Sequence, residues 1–197
     1  MRVLKISQKN LKLVMKEVVK SIKEGKVIIF PTDTVYIPLA DAANQKAVKK
    51  VFQIKQRSQN KPIPIFVKAM KMAKKLAKID KAQEKFLKAV WPGKVTVVLK
   101  RKRKKIKLFG VDRKTIAIRI PNFKLINFLL EKLNTSLVGT SANISGQPAS
   151  GNLKKVLRQF KDKKYQPDLV IDAGNLPRRR PSVVLDLTRL PPKILRK

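Results

Sequence analysis

Three short polar segments, each directly after an apolar stretch, hold most of the groups in this chain that could do chemistry. They are Pro31-Thr32-Asp33-Thr34-Val35-Tyr36, Lys55-Gln56-Arg57 and Thr140-Ser141-Ala142-Asn143-Ile144-Ser145-Gly146. Loops of this kind follow buried strands in α/β sheets, where ligand sites form. Together they offer hydroxyls, an amide and two cations. The 197 residues include no histidine and no cysteine. That excludes Ser-His-Asp catalysis, a thiol nucleophile and imidazole or thiolate metal sites. What remains binds anions and polar small molecules and works by positioning and charge neutralisation. Any metal would use carboxylates, phosphates and water, as Mg2+ does.

Lys55 and Arg57 stand two residues apart. In an extended segment both would face one carboxylate or phosphate, lysine as a point charge and arginine as a bidentate fork. With 48 basic residues in the chain, such a pair is also ordinary surface. Ser141 and Asn143 share the same spacing, and a Ser/Asn-capped turn before Gly146 is the alternative reading. Arg119 sits in the strand-like run 116–121, opposite Ile118 and Ile120, where a solvent-facing arginine is the ordinary expectation. Asp33 and Asp41 fit turn caps or metal and water contacts, and no metal ligand is assigned.

The elements that must hold these groups alternate. Helical spacing spans 11–22, with Gly25 as a stop. The run 27–30 reads as a buried strand. A helix over 47–52 ends near Lys55. A strand over 63–67 is expected at a sheet edge because of Pro62 and Pro64. Residues 69–90 read as one or two helices, broken at Trp91-Pro92-Gly93. Strands follow at 95–99, 116–120, 137–138, 169–171 and 183–185, with helices at 125–133 and 153–160. The pattern implies a layered α/β domain over residues 1–197.

Hydrophobic residues make up 43% of the chain, enough for a core, and the net charge is +36. So basic a chain suits a polyanion such as RNA or a nucleotide, or is a solvated lysine-rich surface. Two basic runs stand out, Arg101-Lys102-Arg103-Lys104-Lys105 and Arg178-Arg179-Arg180. No apolar run nears the ~18 residues of a membrane span, and the first ten residues lack a signal-peptide core. No membrane association and a cytoplasmic location are expected.

The segments PTDTVYIPLADA, KQRSQNKPIP, TSANISG and PSVVLD, in this order, resemble the YrdC/TsaC family of L-threonylcarbamoyladenylate synthases. The resemblance implies a single-domain YrdC-like fold, a twisted mixed sheet flanked by helices. It implies a nucleotidyltransferase that makes threonylcarbamoyladenylate from L-threonine, bicarbonate and ATP, with Mg2+ on the nucleotide. The product would serve N6-threonylcarbamoyladenosine formation at position 37 of tRNAs, through a downstream TsaD-type transferase. By resemblance Lys55, Arg57, Ser141 and Asn143 are catalytic, and Thr34, Arg119 and Ser182 meet threonine. Arg57, Lys61, Thr115, Ser141, Asn143 and Arg196 meet ATP. The alternative is a non-catalytic relative that binds double-stranded RNA or tRNA. Three departures mark this chain. Ile37, Pro38 and Leu39 replace the family's Gly-Leu-Gly after the tyrosine, and a glycine there suggests φ > 0 or close backbone approach. Val183 replaces the threonine of P-S-T, and Phe66 stands where some members carry histidine.

Overall fold

The computed structural model describes residues 1–102, 106–177 and 181–196. Arg103, Lys104, Lys105 and the triplet Arg178-Arg179-Arg180 of the basic runs lie outside the described residues.

Six helices and ten strands alternate along the described chain: β1 (Arg2–Lys5), α1 (Leu11–Lys23), β2 (Ile28–Phe30), β3 (Ile37–Asp41), α2 (Gln45–Lys55), β4 (Ile65–Phe66), α3 (Met70–Leu76), α4 (Lys81–Val90), β5 (Val95–Lys100), β6 (Thr115–Arg119), α5 (Lys124–Leu133), β7 (Leu137–Gly139), α6 (Leu153–Phe160), β8 (Leu169–Asp172), β9 (Val183–Asp186) and β10 (Lys193–Arg196). Local chemistry sets the helix ends. The Asn44 and Asn152 side chains accept the Ala47 and Lys155 amides and start α2 and α6. Asp80 and Gln83 form a capping box on α4. Gln56 turns left-handed, with φ 48°, and stops α2.

The strands form one mixed sheet in the order β1-β8-β2-β3-β7-β4-β6-β5-β9-β10. Three strands go beyond the sequence expectations. β1 and β10 are short and exposed and carry no apolar run. β3 begins directly after the Pro31–Tyr36 segment, in a stretch to which the sequence pattern assigns no element. The proline argument for β4 also fails: β4 is interior, between β7 and β6. Its two residues follow Pro62 and Pro64, so neither missing N–H falls within the paired residues.

Period-two alternation sorts side chains onto two faces. On one face Ile29, Ile65, Val97, Leu99, Ile118 and Val138 pack beneath α2, α3, α4 and α6. On the other, Ile28, Phe30, Leu39, Leu137, Leu169 and Ile171 pack beneath α1 and α5. That second cover stops at β4. Beyond it, the same face of β5, β6 and β9 presents Thr96, Val98, Thr115, Ala117, Arg119, Ser182 and Val184 to an open cleft.

Candidate active site

The cleft has a volume of about 470 Å3 and is bounded by residues from all three motifs, from β5, β6 and β9, and from the end of β10. Thr34, Lys55, Arg57, Lys61, Thr115 and Arg119 all border it, as do Ser141, Asn143, Ser182 and Arg196. Every site residue expected from the sequence is therefore brought to one place. The way each is held differs from expectation in several cases.

Lys55 is the clearest correction. It was expected in an extended segment, exposed beside Arg57. It is instead the last residue of α2 and only 2% exposed. Its Nζ donates to Ser141 O at 2.5 Å, Asn143 O at 2.8 Å and Asn143 Oδ1 at 3.3 Å. The ammonium thus ties the 141–143 loop to the helix end. Burial, with the nearby Arg57 charge adding to it, pushes its pKa down to about 7. Because Gln56 is left-handed, Arg57 leaves in a new direction. Its Nε donates to Lys61 O at 2.8 Å and its Nη2 to Pro62 O at 3.0 Å, which fixes the guanidinium at the cleft wall. Partial burial lowers the Arg57 pKa from its ordinary value.

Arg119 is not solvent-facing. It is 3% exposed, and Nη2 meets both Asp33 carboxylate oxygens, at 2.8 and 2.7 Å. Nε donates to Gly93 O at 2.8 Å, and the guanidinium lies 5.7 Å from the Phe66 ring centroid. Desolvation lowers its pKa, opposed by Asp33. Arg119 therefore joins the first motif loop to β6 and to the turn after α4. Asp33 works as its partner. Asp41 does cap a turn, accepting from the Ala43 amide and the Thr135 hydroxyl.

The hydroxyls form pairs. Thr34 Oγ1 lies 3.0 Å from Thr32 Oγ1, which donates to Val35 O at 2.7 Å. Ser182 Oγ lies 3.1 Å from Thr96 Oγ1. Arg196 donates through Nε and Nη2 to Ser182 O, at 3.0 and 2.8 Å, so the end of β10 is fastened to the start of β9. Thr115 Oγ1 donates to Asp112 Oδ1 at 3.1 Å. Asn143 Nδ2 donates to Ile144 O and Gln147 O, so its amide shapes its own loop, as the capped-turn alternative held. Sequence reasoning gave no role to Thr32, Thr96 or Asp112, which brace Thr34, Ser182 and Thr115. Thr96 was detectable, as a polar residue in the apolar run 95–99; Asp112 has no pattern around it.

The Ile37 departure causes no backbone strain. Ile37 lies in β3, is absent from the positive-φ residues, and is buried. A Cβ on Gly139 would come within 2.8 Å of the Phe66 ring and 3.2 Å of Ile37 Cδ1. Ile37 and Phe66 therefore close the space where the covered face meets the cleft. The close approach sits at Gly139 instead.

A mixed sheet with a half-bare polar face, lined by these motifs, defines a class. Residues 20–197 match the family model Sua5_yciO_yrdC, described as telomere recombination, and the chain belongs to that family. It is 34% identical over 176 residues to the threonylcarbamoyl-AMP synthase of Pyrococcus abyssi, covering 89% of this chain but 51% of that protein. It is 32% identical over 186 residues to a putative threonylcarbamoyl-AMP synthase of Methanocaldococcus jannaschii, covering 94% and 86%. The crystal structure of P. abyssi Sua5 complexed with L-threonine superposes with a TM-score of 0.86 at 30% identity, over 100% of this chain and 57% of that one. The chain thus spans about half the length of the Pyrococcus relative.

Proposed function

We propose that residues 1–197 form one YrdC-like unit that synthesises L-threonylcarbamoyladenylate from L-threonine, bicarbonate and ATP, a nucleotidyl transfer. The observation that carries this is the convergence of Arg57, Lys61, Arg119 and Arg196 with the hydroxyls of Thr34, Ser141 and Ser182 around one cleft. In the reaction the threonine amine bonds to the bicarbonate carbon with loss of water and a proton, giving a carbamate; a carbamate oxygen then bonds to the α-phosphorus, the α–β bridging P–O bond breaks, and pyrophosphate leaves. Two anions must meet. A cleft rich in fixed cations lowers that barrier without proton chemistry.

Within this scheme Arg57 and Lys61 neutralise the phosphates, and Ser141 donates from a loop that Lys55 holds in place. Thr34 and Ser182 take the polar groups of threonine, with Arg119 and Phe66 walling its site. Arg196 and Thr115 border the nucleotide. Among the described residues no group of three or more His, Cys, Asp or Glu side chains could hold a metal ion. In this reading Mg2+ arrives with the nucleotide phosphates. No described helix is long and apolar enough to cross a membrane. The reading further includes work in the cytoplasm, with tRNA and a TsaD-type transferase downstream. Incubation with threonine, bicarbonate, Mg-ATP and pyrophosphatase should yield threonylcarbamoyladenylate. Folded protein that makes none refutes the assignment and leaves the RNA-binding alternative.

A further inference from the structure

A second concavity adjoins the cleft and shares Thr115 with it. Its volume is about 740 Å3. Six of its eight lining residues are cations, Lys78, Lys100, Arg101, Lys102, Arg113 and Lys114, against 48 of 197 in the whole chain. No carboxylate lines it, and none of the six forms an ion pair among the described residues.

Main-chain bonds force these charges together. Lys78 N donates to Lys100 O at 2.8 Å, Lys102 N to Leu76 O at 2.8 Å and Arg101 N to Lys114 O at 2.8 Å. Ala77 and Arg101 form a β-bridge, and Lys100 pairs with Thr115 across β5 and β6. Arg101 is braced further by Nη1 to Asp112 O at 2.9 Å, and Lys102 by Nζ to Lys74 O at 2.6 Å. Like charges held this way repel, and an anion of matching charge density relieves that repulsion. The two hydroxyls offer little to a neutral ligand, because Thr115 and Thr188 already donate to Asp112 and Asp186.

We propose that this basin binds short phosphoanhydride anions at the mouth of the cleft. The ligand class is a pyrophosphate or triphosphate chain, supplied either as free pyrophosphate or as a nucleoside triphosphate. A chain of phosphates, unlike a single one, can reach several of the six cations at once. The site deepens the reading above, because it borders the cleft assigned to ATP, but its occupancy does not depend on turnover.

The test is calorimetric titration at fixed ionic strength with inorganic tripolyphosphate, pyrophosphate, ATP, AMP and a short RNA duplex. The proteins are wild type, Lys100→Gln/Lys114→Gln and Arg57→Ala. Both basin residues are exposed, so circular dichroism and melting should match wild type. Losing two charge-assisted contacts should weaken tripolyphosphate about tenfold or more in the double variant, with AMP and threonine affinities unchanged. Whichever of pyrophosphate and ATP weakens more is the natural source. Unaltered tripolyphosphate binding in the double variant overturns the proposal. So does a loss seen only for a short RNA duplex, or a loss of all tripolyphosphate binding in Arg57→Ala. Failure of the synthesis assay alone would leave this binding result standing.

Discussion

One face of the sheet carries two halves built by the same alternation and put to opposite uses. Over β8, β2, β3 and β7 the face shows Ile28, Phe30, Leu137, Leu169 and Ile171, and α1 and α5 cover it. Over β6, β5 and the start of β9 it shows Thr96, Thr115, Arg119 and Ser182, and no described helix covers them. Strand geometry is common to both; helix cover and residue type differ. A polar set on a bare half-face is what a site needs: fixed backbone beneath and open access above. The boundary runs through Ile37, Phe66 and Gly139, and its loop is pinned by Lys55. Changes on the covered half should therefore affect stability, changes on the bare half should affect turnover, and changes at the boundary should affect both.

The largest expected effect lies at that boundary. Ile37→Gly removes a buried side chain that touches the closed space over Gly139, and adds backbone freedom, so about 4 kcal/mol should be lost. A urea titration should show a lower midpoint. A variant as stable as wild type would break the division into halves. Lys55→Met comes next. It leaves the Ser141 and Asn143 carbonyls unpaired, at about 2–3 kcal/mol, and should expose residues 141–147 to protease. Its pH signature is specific. The folded pKa is about 7 against an ordinary 10.5, so between those values the unfolded chain binds more protons. The burial penalty is then full below pH 7, and stability rises as pH climbs towards 10.5. Lys55→Met should lack that rise, and an identical rise in the variant would reassign it to other groups.

Arg57→Ala tests the bare half. Turnover should fall about 10²-fold, the scale of losing one preorganised charge contact. Its two bonds are to backbone carbonyls of exposed residues, so stability should move by about 1 kcal/mol or less. A collapse in stability would make Arg57 a structural tie like Lys55. The smallest effect concerns salt. RNA affinity resting on exposed cations should fall steeply on a log–log plot, at about 0.9 per phosphate neutralised. Turnover in the cleft should respond far less, since partly buried charges are screened less. Equal slopes would join surface and cleft into one electrostatic unit.

The apolar runs made the layered fold legible in the sequence, and the ten residues picked out by resemblance all border one cleft. Side-chain direction was not. Alternation around Arg119 set it opposite Ile118 and Ile120, but whether that face met solvent or a cleft depended on α1 and α5 stopping short, a long-range fact. The spacing of Lys55 and Arg57 suggested an extended pair. A single left-handed residue, Gln56, between them sends one side chain into the protein and the other to the cleft. Strands β1 and β10 were hidden because each borrows its stability from a partner strand rather than from its own apolar pattern.

The cleft draws its walls from residues 34–37, 55–66, 96–98, 112–119, 139–146 and 181–196. Those segments are far apart in the order of synthesis, and β1 finds its partner β8 only after some 165 intervening residues, as Arg2 pairs with Leu169. Pairing so distant in sequence folds slowly. A nascent chain that has emerged only as far as α6 has all three polar segments and Arg119 but lacks Ser182, Leu195 and Arg196. The growing polypeptide therefore cannot assemble the whole cleft ahead of its last strands. The cleft is complete once β9 docks alongside β5 and β10 alongside β9.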